Sequence, residues 1–152
     1  MMKTISLLIF LIVLSACSNF SGNSQAEKAL KNFIDARFDT NMTKEQMLKY
    51  VDGEMASEIH DMGIDEFDFF TKLKGFKKTD FKILTSNCEK KKCVIVYNLQ
   101  YDEYKMNTKQ FSTEVKKAAE VVRDTEGFWK IVKVDNVKTY LKNHEEIEIT
   151  ND

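Results

Sequence analysis

The chain is 152 residues long, which suits one domain. Hydrophobic residues make up 43% and charged residues 31%, with five glycines and no proline, a composition that excludes collagen-like, mucin-like and proline-rich linker classes. Acidic and basic residues number 24 and 23, so the net charge of −1 provides no overall positive field, and nucleic acid is not expected as a partner.

The chain opens MMKTISLLIFLIVLSA, in which Lys3 precedes an apolar run over residues 5–14 broken only by Ser6. This run is shorter than the roughly 20 apolar residues a membrane span needs and has the length of an export-signal core. The next residue is a cysteine, and Leu14-Ser15-Ala16-Cys17 closely resembles the lipobox of bacterial lipoproteins. The resemblance implies diacylglyceryl transfer to the Cys17 thiol, cleavage before Cys17 and acylation of the new amino terminus. Residues 1–16 are then a signal peptide, and membrane lipid is a partner through acylated Cys17. Small side chains at Ser15 and Ala16 leave the backbone accessible to a peptidase. Several palmitate-type chains, at ~0.8 kcal/mol per buried CH₂, anchor far more firmly than one. Ser18 directly follows Cys17 and Asn19 is not aspartate. By likeness to the sorting pattern of Gram-negative lipoproteins, this implies a place in the cell envelope, at the outer membrane facing the periplasm where the cell has one.

The polar stretch SNFSGNSQ follows Cys17, and residues 17–24 read as a flexible tether to a single domain over 25–152. A helical stripe of Ala26, Ala29, Leu30, Phe33, Ile34 and Phe38 comes next, with Ser24 and Glu27 spaced as a capping box. A short helix from Thr43 carries Met47, Leu48, Tyr50 and Val51. A third, from about Asp52 to His60, carries Met55, Ala56 and Ile59. The apolar positions Met62, Ile64, Phe67, Phe69 and Phe70 continue as a partly helical region, with Gly75 as the break before a sheet.

The period then changes to two. Phe81, Ile83 and Thr85 mark one strand, and Cys93, Ile95, Tyr97, Leu99 and Tyr101 a longer one. The run over 109–123 reads mainly as strand, although its centre VKKAAEVV also favours helix, and a helix there would give a different two-layer α+β fold. Val121 and Val122, a turn at Thr125-Glu126-Gly127 and the run from Phe128 to Val134 form a hairpin. On it, alternation places Trp129, Ile131 and Lys133 on one face, with the Trp129 ring under the first helix and near Tyr97. A terminal helical turn is expected over 137–141 and an edge strand over 145–150.

Helices followed by an antiparallel meander ending in Gly127-Phe128-Trp129-Lys130-Ile131 resemble the nuclear transport factor-like (cystatin-like cone) superfamily. The resemblance covers residues 24–134 and implies a cone in which a curved sheet wraps the N-terminal helix. The physical argument reaches the same class: antiparallel strands with one apolar face need a helical layer, which gives α+β with N-terminal helices on the sheet.

Cys88 and Cys93 flank Glu89-Lys90-Lys91-Lys92 at a strand junction, and in an exported protein such a pair reads as a disulfide. No HExxH, calcium-loop template or cofactor fingerprint occurs, so neither metal nor cofactor is expected. Tyr97, Tyr101 and Trp129, amphipathic rings on one sheet face, are the candidate lining of a ligand pocket. No catalytic residue is singled out. The expected function is a lipid-anchored envelope protein whose non-catalytic domain binds an envelope protein partner or a small apolar ligand. The alternatives are an enzyme acting in the cone through a carboxylate or His60, beside Asp61, and an immunity or inhibitor protein.

Overall fold

A computed structural model describes residues 20–143 apart from Thr40 and 72–74. The signal peptide expected over 1–16, Cys17 and the edge strand expected over 145–150 lie outside the described residues. Four helices, α1 (Phe20–Arg37), α2 (Lys44–Met47), α3 (Gly53–Asp61) and α4 (Ile64–Thr71), precede four strands, β1 (Phe76–Glu89), β2 (Lys92–Lys105), β3 (Thr108–Arg123) and β4 (Trp129–Asn143). The strands form one antiparallel meander in the order β1-β2-β3-β4, and α1 touches all of them. The fold is α+β. Among the described residues no helix is long and apolar enough to cross a membrane.

The stripe of α1 supplies the helical half of the core, with Ala26, Leu30, Phe33 and Ile34 almost wholly buried. They meet Cys93, Ile95, Tyr97 and Leu99 of β2, Val115, Ala119 and Val121 of β3, and Ile131 of β4. Helix α1 begins at Phe20, so Ser24 lies inside it rather than capping it, and much of the expected tether is helical. Once a buried stripe fixes a helix, each further N-terminal residue adds a backbone bond without a new nucleation cost. Caps were better signals downstream. Thr43 accepts from Gln46 N in a complete capping box, and the Asp52 side chain accepts from Gly53 N at the start of α3.

Four register breaks bend the outer pairs of the meander and move side chains between faces. The break beside Val121 sets Lys133 opposite Glu120 and Val134 opposite Ala119. Lys133 therefore turns outward to pair with Asp135 at 3.0 Å, and Val134 packs on the core, which corrects the simple alternation expected from Trp129. The run over 108–123 is strand throughout, and residues 137–141 continue β4 instead of forming a helical turn. Ladder bonds to β3 hold this end of β4, although Val137 and Leu141 remain exposed.

Between β3 and β4, Asp124 accepts from Phe128 N at 2.8 Å and Arg123 Nε donates to the Gly127 carbonyl at 2.9 Å. Gly127 sits there at φ 95°, a conformation for which glycine carries no Cβ penalty. At the β1–β2 turn, Cys88 and Cys93 are register partners with Cα atoms 4.0 Å apart and are joined by a disulfide.

Candidate ligand-binding site

A cavity of about 160 Å³ lies where the end of α1 meets the sheet, lined by Ile34, Arg37, Phe38, Phe76, Leu99, Tyr101 and Lys117. Each lining residue follows from its element. On α1, positions 26, 30, 33 and 37 are spaced by four, three and four, so Arg37 occupies the next place on the buried stripe after Phe33. On β3, Lys117 stands between Val115 and Ala119 in the inward alternation. On β2, Leu99 and Tyr101 follow Tyr97 on the same face.

The two cations share this space. Arg37 donates from Nε and Nη2 to the Phe70 carbonyl at 3.4 and 3.3 Å, and its guanidinium carbon lies 4.4 Å from the Phe70 ring centroid. That cation–π contact ties α4 to α1. Among the described residues, neither Arg37 nor Lys117 makes an ion pair with a carboxylate. Burial lowers the pKa of Arg37, with the Tyr97 and Tyr101 phenols opposing that shift. Burial also lowers that of Lys117, and the positive charge of Arg37 pushes it down further. An inward lysine facing an arginine is a repulsive arrangement in a poorly hydrated place.

Tyr97 pairs in register with Lys117, and its side chain is fully buried against Phe81, ring centroids 5.3 Å apart. Among the described residues its hydroxyl has no hydrogen-bond partner. Burial pushes the Tyr97 pKa up to about 12, and Arg37 is near enough to oppose that rise. The Tyr101 ring packs against Phe38 and Phe76 at 6.1 and 5.7 Å.

The sequence-predicted aromatic set is thus divided. Tyr97 and Tyr101 lie at the cation-bearing end. Trp129, expected beside Tyr97, pairs with Arg123, six residues along β3 from Lys117, or ~20 Å at ~3.3 Å per residue. It is half-buried against the core at the hairpin end. The register breaks and the strand offset, which one-dimensional alternation does not carry, account for the separation. Arg37 and Lys117 were missed, though each had a readable signal: a charge at a stripe position and a charge at an inward strand position. His60 is exposed on α3, where its Nδ1 lies 3.1 Å from an Asp61 carboxylate oxygen.

Two larger hollows are more open. One, of about 560 Å³, lies between the start of α2 and α4, lined by Met42, Lys44, Ile64, Phe67 and their neighbours. The other, about 380 Å³, is on the sheet around Leu84, Asn98, Glu114, Lys116 and Tyr140. Among the described residues no group of His, Cys, Asp and Glu is arranged to hold a metal ion.

Among solved structures, the chain is similar to one described as "Ntf2-like, potential transfer protein TraM from Gram-positive conjugative plasmid pIP501", at 16% identity, covering 80% of this chain and 96% of that one, with a TM-score of 0.47. No protein-family model and no curated protein matches the sequence.

Proposed function

We propose that the chain is a cell-envelope lipoprotein, anchored through acylated Cys17, whose nuclear transport factor-like domain is a non-catalytic binding module taking a small ligand between α1 and the sheet. The observation that carries the binding reading is the cavity itself: apolar walls from Ile34, Phe38, Phe76 and Leu99 with a few polar groups converging on them. That combination is the usual make-up of a small-molecule site. The lining supplies no carboxylate or imidazole to act as acid or base, and His60 stands on the surface, which favours binding over the enzyme alternative. The lipobox-like Leu14-Ser15-Ala16-Cys17 supports the anchor.

Two measurements test the two halves. A small-fragment screen by NMR on the full chain in zwitterionic detergent should give saturable shifts at Leu99 and Tyr101 and none at the exposed hairpin residue Phe128. Shifts at neither Leu99 nor Tyr101 across the whole set would remove the binding reading. For the anchor, cells fed a fatty-acid analogue should yield labelled protein beginning at Cys17, with Cys17→Ser unlabelled and uncleaved. A wild-type chain that carries no label would remove the anchor.

A further inference from the structure

The cavity carries more information than its shape, because two positive charges face it. A structural role accounts for part of Arg37. One edge of its guanidinium, Nε and Nη2, holds the Phe70 carbonyl, while Nη1 makes no hydrogen bond among the described residues. Anchoring α4 does not account for Lys117, which lies on the sheet in a row otherwise made of Thr113, Val115, Ala119 and Val121. Turning a lysine inward costs desolvation, and placing it near Arg37 adds repulsion. Removal of the Lys117 charge would relieve the fold, so stability does not explain this lysine. An anion held between it and Arg37 would.

We propose that this cavity takes a small monocarboxylate, its carboxylate held by Arg37 and Lys117 and its short tail packed on Ile34, Phe38, Phe76 and Leu99. The inference rests on the binding reading above and names the ligand class for that same site. A carboxylate matches the planar donor fork of a guanidinium, and charge-assisted bonds are the stronger kind. The four apolar residues in the wall call for a tail, which inorganic phosphate or sulfate lacks. Size limits that tail: at roughly 30 Å³ per water-sized group, 160 Å³ holds about five such groups, an acid of butanoate's size. The partnerless Tyr97 hydroxyl, buried beside the same cations, is a further polar group for which the protein supplies no bond.

The test compares butanoate with butanamide, which keeps the shape and removes the charge. The full chain in zwitterionic detergent, with methyl-labelled isoleucine and leucine, is titrated with each and, separately, with inorganic phosphate at matched ionic strength. Butanoate should shift the Ile34 and Leu99 methyls saturably, and butanamide should bind about tenfold or more weakly, the size expected for losing a charge-assisted bond. Phosphate should leave those methyls in place. Lys117→Met keeps length and apolar packing, and should bring butanoate down to the level of butanamide without altering the latter. Arg37→Gln should do the same, with the melting temperature followed because its Phe70 contact is also lost. Equal affinity for butanoate and butanamide would overturn the carboxylate assignment while leaving a binding cavity. Phosphate binding as tight as butanoate would overturn it in favour of a general anion hole. Failure of butanoate and butanamide, in a chain where other fragments still shift Leu99, would overturn this inference alone. Failure of every fragment would remove the binding reading as well.

Discussion

The two ends of one sheet face follow the same alternation and reach opposite outcomes. At the hairpin end, Cys93, Ile95, Ala119, Val121 and Ile131 are inaccessible to solvent and close over one another beside the Cys88–Cys93 disulfide. At the other end the inward positions are Leu99, Tyr101 and Lys117, with Arg37 supplied from α1, and a cavity remains. Side-chain direction is the same in both, so what separates a packed end from an open one is the chemistry of the inward residues. A row of aliphatics can exclude water by packing alone. A row interrupted by an ammonium and a guanidinium cannot, and keeps space around its charges.

The largest expected effect breaks the packed end. Ile131→Ala removes a fully buried side chain from the strand position whose backbone bridges to Val51, and should cost about 2–5 kcal/mol of stability. Leu99→Ala, whose side chain already borders open space and has fewer contacts to lose, should fall at the bottom of that range or below. Urea unfolding of both variants decides the matter. Equal losses would mean that the two ends are packed alike.

The Tyr97 phenol sits at the cation-bearing end, where that end borders the packed one, and reports on it through pH. Its folded pKa of about 12 lies above the ordinary tyrosine value of about 10. Between those values the native state keeps a proton that the unfolded chain has released, so stability falls as pH rises across that window. The loss is on the order of 2–3 kcal/mol in total. Tyr97→Phe should flatten this fall and, by removing a hydroxyl that has no partner, raise stability near pH 7 by about 1 kcal/mol. Unfolding curves between pH 9 and about 12 test it. A variant whose stability falls as steeply as the parent's would show that another group carries the alkaline response.

The disulfide contributes to the packed end alone. Its sequence separation of 5 closes a short loop, so reduction should cost about 2 kcal/mol in the chain-entropy account. Thiol counting on unfolded, unreduced chain produced in an oxidising compartment should find neither Cys88 nor Cys93 free. The fragment and butanoate shifts at Leu99 should survive reduction, because that cavity lies at the other end of the strands. Loss of those shifts would show that the two ends are one cooperative unit.

Periodicity made most of this architecture readable before any coordinates. The α1 stripe, the helix starts near Thr43 and Asp52, the Gly127 turn and the inward run from Cys93 to Tyr101 follow from local rules, and the structure has each of them. The helix start at Phe20 escaped because it precedes the apolar stripe, which begins at Ala26. The outer end of β4 escaped because Asp135, Asn136 and Lys138 are poor strand formers, held there by pairing with β3 rather than by an apolar face. The site was half legible. Aromatic spacing pointed to Tyr97 and Tyr101. Trp129 was grouped with them because alternation fixes the face and says nothing of distance along it. Arg37 and Lys117 were not singled out, although both occupy positions where their neighbours in period are buried.

The smallest effect is the most discriminating for the cation-bearing end. Lys117→Met replaces an inward ammonium by an apolar side chain of similar length. Because burial and Arg37 both lower the Lys117 pKa, the folded state gives up this proton more readily than the unfolded chain does. In the window between its lowered value and the ordinary value near 10.4, the unfolded chain binds more protons, so this group makes stability rise with pH. Below that window the native state carries the charge at a cost. The methionine variant should therefore be more stable than the parent at neutral pH, with the difference shrinking as pH climbs toward 10. The sign is opposite to that of Tyr97, so the two contributions separate in a pH series. Chemical unfolding of parent and variant at several pH values measures it. A variant less stable than the parent at neutral pH would show that the ammonium holds the fold together, and the contrast between a packed end and a charged, binding end would then lose its physical basis.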